Sequence, residues 1–538
     1  MKALIRSLGV AGSLVVVAYS AAQRTHGSQQ QPEAPAAATT APAQENQPSG
    51  TPQNPGRAQT PGRGGRGNPT AALYAEKCAA CHGTDTQAGR APSLFDDQWT
   101  RASDDDGIAR VIAQGVPQTE MIPFKDLLTE HQIWQLVSYL RFQAANLKPK
   151  PQFVADPNGQ VITSEKLKFK IEVLARGLET PWGLAFLPDG RVLITERPGR
   201  LRIVDKGQLL PPVTGMPKVW ERQDAGLFDV EVHPDYARNG WIYLAYAEPL
   251  PNYTPPKPES QAAPPPQAGR GSQSPSIPSM TVIVRGRINA KNEWAEQEFI
   301  YRPGPELFTT DNSHYGSRFT FDREGHLFYS IGDRGEHDNS QDLSNPLGKI
   351  HRVNDDGSIP KDNPFVGKPG AVASIWTYGH RNPQGLSWDP ATGKLWASEH
   401  GPQGGDEINI IERGRNYGWG VITHGVQAGI TKRTEPGMEQ PVVYYTPTIA
   451  PSGMVFYTGT QYPAWKNHLF VGAMAGQHLR RLEISGDKVV HQEAVFSQFG
   501  RVRDVAIGPD GYLYVLLQQP GQPVFVSTPG LLARLVPQ

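Results

Sequence analysis

Two groups of residues in this chain have types and spacing suited to chemistry. Cys78-Ala79-Ala80-Cys81-His82 is a C-x-x-C-H arrangement, in which two thiols can form thioethers to haem vinyl groups while the next imidazole ligates the iron. Met121 is the only methionine between the initiator and Met216, and a thioether opposite the imidazole raises the haem potential. The competing readings are a redox dithiol, which needs neither His82 nor a distant sixth ligand, and a methionine that only fills a core. The second group lies far downstream. Asp311 to Arg318 forms a polar loop leading into the apolar strand Phe319 to Phe321, and Ser330 to Gly335 ends the next strand, so His314 and Asp333 can meet at one rim. A carboxylate beside an imidazole fixes its tautomer and raises its basicity, as a general base requires. By itself, a histidine with a nearby aspartate is structural more often than catalytic.

The elements that must carry these groups follow from periodicity. From Ala71 to about Leu147, Ile108, Val111 and Ile112 recur at helical spacing, and Ile133, Trp134, Leu136, Val137 and Leu140 form a strong apolar face. A small all-α domain over 71–147 is expected. After a Pro- and Lys-containing connector over 148–164, the composition becomes that of a β protein. Turn signals at Pro188-Asp189-Gly190, Pro234-Asp235, Glu324-Gly325, Thr392-Gly393, Trp465-Lys466-Asn467 and Pro509-Asp510-Gly511 each precede a short apolar strand: RVLIT, WIYLAY, HLFYSIG, KLWASE, HLFVGAM and YLYVLL. One signature repeated six times predicts an all-β six-bladed propeller over 165–538. A β-sandwich would not repeat it. The Pro-, Gln- and Ser-rich tract from Pro249 to Ser279 reads as a disordered surface insertion.

Lys+Arg 52 balances Asp+Glu 52 in 538 residues, so no global field draws the chain to nucleic acid or to an anionic membrane. A small molecule or another protein is the expected partner. Lys2 and Arg6 precede an apolar run from Leu8 to Ala18, and small residues to Ala22 offer a cleavage site, so 1–22 reads as a signal peptide. That run is shorter than the ~20 residues of a membrane-spanning helix, and no later stretch could span. The expected compartment is periplasmic or extracellular. Residues 23–70, rich in Gln, Pro, Ala, Thr and Gly, read as a disordered tether. With Cys78 and Cys81 the only cysteines, no disulfide network is expected.

The densest polar stretch runs from Trp376 to Trp419, where short strands alternate with Gly-, Asn-, Asp-, Glu-, Arg- and His-rich loops. Taken with NSHYGSRFTF, SIGDRG, WTYGHRNPQGL, SEHGPQGGDEIN, NYGW, PTIAPSGM and RVRDVAIGPDGYLYVL, the region from about Leu178 to Leu517 resembles the soluble quinoprotein aldose (glucose/sorbosone) dehydrogenases. These enzymes use pyrroloquinoline quinone (PQQ) and calcium. The segments GVPQTEMIPF and APSL similarly resemble the distal and proximal loops of class I cytochromes c, which would set Pro92 near His82 at the haem. The first resemblance implies that His314 takes the proton from the anomeric hydroxyl and that Asp333 orients it. It implies that Arg381 and Asn382 contact the quinone, with Arg381 stabilising an oxygen that becomes anionic. Gly401 and Pro402 would offer carbonyls to calcium, with Glu407 and the Tyr417 carbonyl a further calcium position. Arg501 and Arg503, two apart on one strand, would share a face and pair with quinone carboxylates. Gln341 is a loosely matched substrate contact. Without the resemblance, GPQGGDE is a tight turn with an ion-paired edge, and the two arginines are solvated strand residues.

The chain departs from the family at several points. Ala475 stands where a lysine usually meets the cofactor, an ungapped match puts Asp224 rather than Gln223 at an amide position, and Ser313 precedes His314 where relatives carry Asn or Asp. The expected protein is an exported quinohaemoprotein that oxidises an aldose at C1 to the lactone and passes electrons to its own haem c, then to a downstream redox protein. Two other classes fit the same fold: a non-catalytic propeller interaction module carrying an electron-transfer cytochrome, and a calcium-dependent lactonase needing no quinone. Haem reduction on adding sugar to quinone-loaded protein separates the first two, and lactone hydrolysis identifies the third.

Overall fold

The computed structural model describes residues 68–254, 276–520 and 527–538. The segment read as a signal peptide and nearly all of the tether lie outside the described residues.

Helices in the first region start where their caps dictate. Helix α1 (Pro69–Lys77) has proline in its first turn and Asn68 accepting from the Thr70 N–H. It breaks at Cys78, and α2 (Ala79–His82) carries the rest of the motif. Helix α3 (Asp105–Gln114) is capped by the Asp104 carboxylate, and α4 (Glu130–Leu147) by a reciprocal Thr129–Gln132 capping box. Ile108 and Ile112 of α3 pack on Ile133, Leu136, Val137 and Leu140 of α4, with Tyr74 and Phe95 completing a small core.

Six antiparallel sheets follow, the blades of a six-bladed propeller. Every repeated apolar unit is the second strand of its blade: Val192–Glu196, Ile242–Pro249, Leu327–Ile331, Leu395–Glu399, Leu469–Ala473 and Leu513–Gln518. Such strands are covered on both faces by the adjoining blades, which is why they read as unbroken apolar runs instead of alternating. Trp465, Phe470 and Leu479 of the fifth blade, for example, pack against Phe169, Val515 and Leu535 of the sixth. The ring is closed by mixing chain ends. Strand Lys168–Glu179 pairs with Pro529–Pro537 in register Ile171↔Leu535, and Val161–Thr163 adds an outer strand, so early and late segments of the propeller share the sixth blade.

At the axis a buried ionic cluster ties the blades together. Arg318 Nη1 lies 2.9 Å from Asp229 Oδ1 and 3.2 Å from Asp504 Oδ2, its Nε donates to the Gln384 carbonyl, and Asp504 also accepts from the Leu184 N–H. Buried pairs of this kind add little net stability over apolar packing, but removing one partner strands the others. They fix which loops face the funnel above. Chain from Phe153 onward already lies on the propeller, with the Val154 N–H donating to the Gln498 carbonyl. The Pro249–Ser279 tract hangs from paired ends, since Pro249 faces Ser279 across two strands, while 255–275 lie outside the described residues.

Candidate functional site

In the helical region, α2 turns Cys78, Cys81 and His82 toward one cavity of about 710 Å³, lined also by Pro92, Met121, Leu136 and Leu140. His82 Nδ1 is 2.8 Å from the Pro92 carbonyl. A carbonyl only accepts, so Nδ1 carries the proton and Nε2 keeps its lone pair for a metal. Both thiols are free, and burial followed by the charge of Cys81 pushes Cys78 up to about 11. An apolar cavity of this size, two unpaired thiols, an oriented imidazole and a thioether together fit a covalently attached haem.

The second site sits in the propeller's axial funnel and is assembled from loops of separate blades. His314 precedes the first strand of the third blade, in a left-handed conformation with φ 53°, a strained state for a non-glycine residue that marks a position held for a reason. Gly332 makes room for it: a Cβ there would stand 2.1 Å from the His314 carbonyl oxygen. His314 Nδ1 and Asp333 Oδ1 are 2.6 Å apart, and the other carboxylate oxygen accepts from Trp419 Nε1 at 2.7 Å. Burial alone would raise the Asp333 carboxyl, but His314, Arg381 and the Gly335 N–H hold it below the usual range. Ionised Asp333 therefore accepts a hydrogen bond from Nδ1–H, and His314 Nε2, which has no hydrogen-bond partner among the described residues, presents its lone pair.

Arg381 enters from the fourth blade through the bond from the Asp333 N–H to its carbonyl. Its Nη1 donates to the His400 carbonyl, and its Nε is buried without a partner. Burial lowers Arg381 and, more strongly, Arg503, whose Nε is likewise unpaired. Arg501 and Arg503 do share a face, since both reach the Met474 sulfur, at 3.5 and 3.0 Å. Arg503 also donates to Gln384, which in turn donates to Asn382. Exposed Asp224, in the loop before the second blade, exerts its charge on Arg381, Arg501 and Arg503 alike. Buried cations with unpaired N–H groups fit an anionic, multiply carboxylated ligand such as PQQ.

Gly401, Pro402, Glu407 and Tyr417 line one ion-sized cavity of about 10 Å³ with Glu399, Arg381 and Trp419. Burial, then the nearby Glu399 charge, push Glu407 up to about 8. Two carboxylates crowded beside backbone carbonyls are chemistry that a calcium ion would relieve. Gln341, by contrast, is committed to the protein: its amide donates to the Asn416 side chain and the Trp419 carbonyl and accepts from Asn416. It braces the turn that carries Trp419.

Several site residues were not singled out by sequence. Trp419 holds the second oxygen of Asp333, and Met474 occupies the face next to the missing lysine, with Ala475 turned to solvent. Trp182 lies 4.0 Å under the Arg503 guanidinium. His400, pushed down to about 3 by burial and then by Arg381 and Arg503, is a neutral imidazole whose Nε2 donates to the Pro451 carbonyl. Trp419 and His400 had a signal, their places in the polar motifs NYGW and SEHGPQGGDEIN.

Comparison with known proteins places the fold in a family. The family described as Glucose / Sorbosone dehydrogenase matches residues 178–526, and that described as Cytochrome C oxidase, cbb3-type, subunit III matches residues 66–140. The chain is 39% identical to the aldose sugar dehydrogenase YliI of Escherichia coli over 359 residues, covering 65% of this chain and 90% of that protein. Among solved structures, the apo form of the soluble aldose sugar dehydrogenase of E. coli superposes with a TM-score of 0.59 at 36% identity, covering 69% of this chain and 100% of that one. The PQQ-bound aldose sugar dehydrogenase of Streptomyces coelicolor gives 0.52 at 26% identity, covering 69% and 99%.

Proposed function

The chain belongs to the glucose/sorbosone dehydrogenase family of oxidoreductases and carries a cytochrome c domain, and from that premise we propose that it oxidises an aldose at C1 to the lactone using PQQ and calcium, with a covalent haem c as its internal electron acceptor. The observation that carries this reading is His314, its Nδ1 held by ionised Asp333 and its Nε2 free in a funnel lined by incompletely paired guanidinium groups. When bound beside calcium, PQQ would supply a two-electron acceptor for hydride from the sugar. His314 Nε2 takes the proton of the anomeric hydroxyl, and the charge it gains is stabilised by Asp333. Trp419 keeps that carboxylate from swinging away. Arg381, with Asn382, Arg501 and Arg503 around the funnel, would hold the anionic ligand beside the Asp224 carboxylate, and Glu407 with the carbonyls of Gly401, Pro402 and Tyr417 would hold calcium. Gln341 acts by bracing Trp419.

In the helical domain, Cys78 and Cys81 would anchor the haem, and His82 and Met121 would ligate its iron. Joining both sites in one chain gives the acceptor a high effective concentration. The reduced haem would then serve a separate redox protein, and the amino-terminal segment would direct export to the periplasm or beyond. No helix among the described residues is long and apolar enough to cross a membrane. The test is haem reduction, followed in the visible spectrum, after adding aldoses to full-length protein loaded with PQQ and calcium. Reduction with aldoses and none without PQQ is expected. No reduction with any of a broad panel of aldoses, alcohols and aldehydes overturns the reading.

A further inference from the structure

Between its third strand (Asp406–Ile411) and its fourth (Val443–Tyr445), the fourth blade makes a long excursion that meets the helical domain. The contact centres on Arg433. Its guanidinium carbon lies 3.5 Å from the centroid of the Trp134 ring on α4 and 5.1 Å from that of Tyr444. Nη1 donates to the His424 carbonyl at 3.0 Å, and Nη2 lies 2.8 Å from His424 Nδ1. Burial, then Arg433 itself, push His424 down to about 4, so it is a neutral acceptor, and its ring stacks on Tyr444 at 4.5 Å. From the helical side, Asp105 and Asp106 add their negative charge. A cation held between aromatic faces of two domains, over an acidic helix start, is a directional contact.

Each end of the contact abuts a pocket. Trp134 packs on the helical core, and Leu136 and Leu140 of the same helix line the larger cavity. Tyr444 pairs with Glu407 across neighbouring strands, and Thr423, next to His424, lines the ion-sized cavity with Glu407. A second restraint limits how the domain can turn. Helix α4 ends at Leu147 and the chain is fixed again where Val154 bonds to Gln498, so only a short tether separates them, reaching roughly 3.3–3.6 Å per residue at full extension.

We infer that Arg433 is a docking and positioning residue: it seats the cytochrome domain on the fourth blade in one orientation, with the Trp134 face of α4 turned to the wall of the quinone and calcium site. This rests on the proposed function. An aldose gives up two electrons and two protons, whereas a haem iron passing from Fe(III) to Fe(II) takes one electron. The haem must therefore be reduced twice per turnover, passing the first electron to the downstream redox protein before it takes the second, and a fixed seat keeps both transfers at the same separation.

Full-length protein, wild type and Arg433→Ala, would be compared by hydrogen–deuterium exchange and by stopped-flow reduction of the haem. In wild type, the first turns of α4 and the excursion over 424–440 should be protected. Arg433→Ala should deprotect both and slow sugar-driven haem reduction on the order of tenfold, with haem spectrum and turnover with an artificial dye unchanged. Arg433→Lys, which keeps the charge but loses the planar stack, should fall between the two. If both segments exchange equally fast in wild type and Arg433→Ala, or if haem reduction is unaltered in Arg433→Ala, the inference is overturned. If wild-type haem is never reduced by sugar, the proposed function fails on its own, and the exchange data alone decide whether Arg433 seats the domain.

Discussion

On the proposed function, the two pockets would hold a redox group in opposite ways. In the helical domain, every implied ligand falls between Cys78 and Met121, and the cavity walls are largely apolar. In the propeller, the groups run from Asp224 to Arg503, come from several blades, and are mostly charged. A group attached by two covalent bonds needs only volume, an oriented imidazole and a second axial ligand. A group that binds reversibly must be recognised by charge, so the propeller keeps guanidinium groups incompletely paired in its interior, at a desolvation cost that lowers Arg381 and Arg503. The buried Asp229–Arg318–Asp504 cluster beneath is the scaffold that makes such a funnel rigid.

If the two regions are chemically separate, substitutions should divide cleanly between them. His314→Ala removes the only imidazole paired with Asp333 and should lower sugar oxidation by about 10²–10⁴-fold, the usual share of a general base. Haem content and spectrum should not change. Sugar-driven haem reduction retained at the wild-type rate would remove the base assignment. Met121→Ala is the mirror experiment. It should leave turnover with an artificial dye intact while altering the haem spectrum, lowering its potential and suppressing haem reduction by sugar. An unchanged spectrum would mean that another residue is the sixth ligand.

The same contrast governs how much could be read from sequence. The haem motif is contiguous, so its chemistry was visible in five letters. The six blades were visible because each second strand is buried on both faces and repeats one apolar pattern, as in HLFYSIG and KLWASE. What joins the blades was not. Arg318, Asp229 and Asp504 are far apart in the chain and look like ordinary strand charges, and no local pattern announces that they meet on an axis. Trp419 is similar, since its indole bond to Asp333 spans two blades. Gln341 reads as a polar loop residue able to face a substrate, yet its amide braces a neighbouring turn. The resemblance pointed to His314 and the arginines, while the unpaired Nε atoms of Arg381 and Arg503 became apparent only when burial was known.

A smaller effect sharpens the account of the base. Asp333→Asn keeps the shape but gives up the charge, and an amide that donates to Nδ1 would favour the wrong imidazole tautomer. Sugar oxidation should fall about tenfold or more, and stability by about 1.5–3 kcal/mol, the range for a hydrogen bond to a charged group. The pH dependence has a definite sign. Asp333 is held below its usual range in the folded protein, so its contribution is fully present above the ordinary carboxylate range and fades as pH falls below that range through the depressed folded value. Denaturation of both proteins from neutral to acidic pH should show the stability gap closing on the acid side. A gap that widens there would contradict the ionised pair.

The weakest effect tests the funnel's departure from its family. Asp224 is exposed, and its negative charge acts on the three arginines that would meet the carboxylates of PQQ. In the free protein it partly neutralises them, and in the loaded protein it repels the ligand, so both terms oppose binding. Asp224→Asn restores an amide and should tighten PQQ about threefold, a modest gain because exposed charges are screened by solvent. The gain should shrink as salt is raised toward about 1 M, where the screening length is near 3 Å. Quinone titration of the two proteins at low and high salt measures both numbers. Weaker binding by the asparagine variant would mean that Asp224 positions the arginines more than it competes with the ligand, and the charged funnel would then depend on a carboxylate just as the His314 pair does.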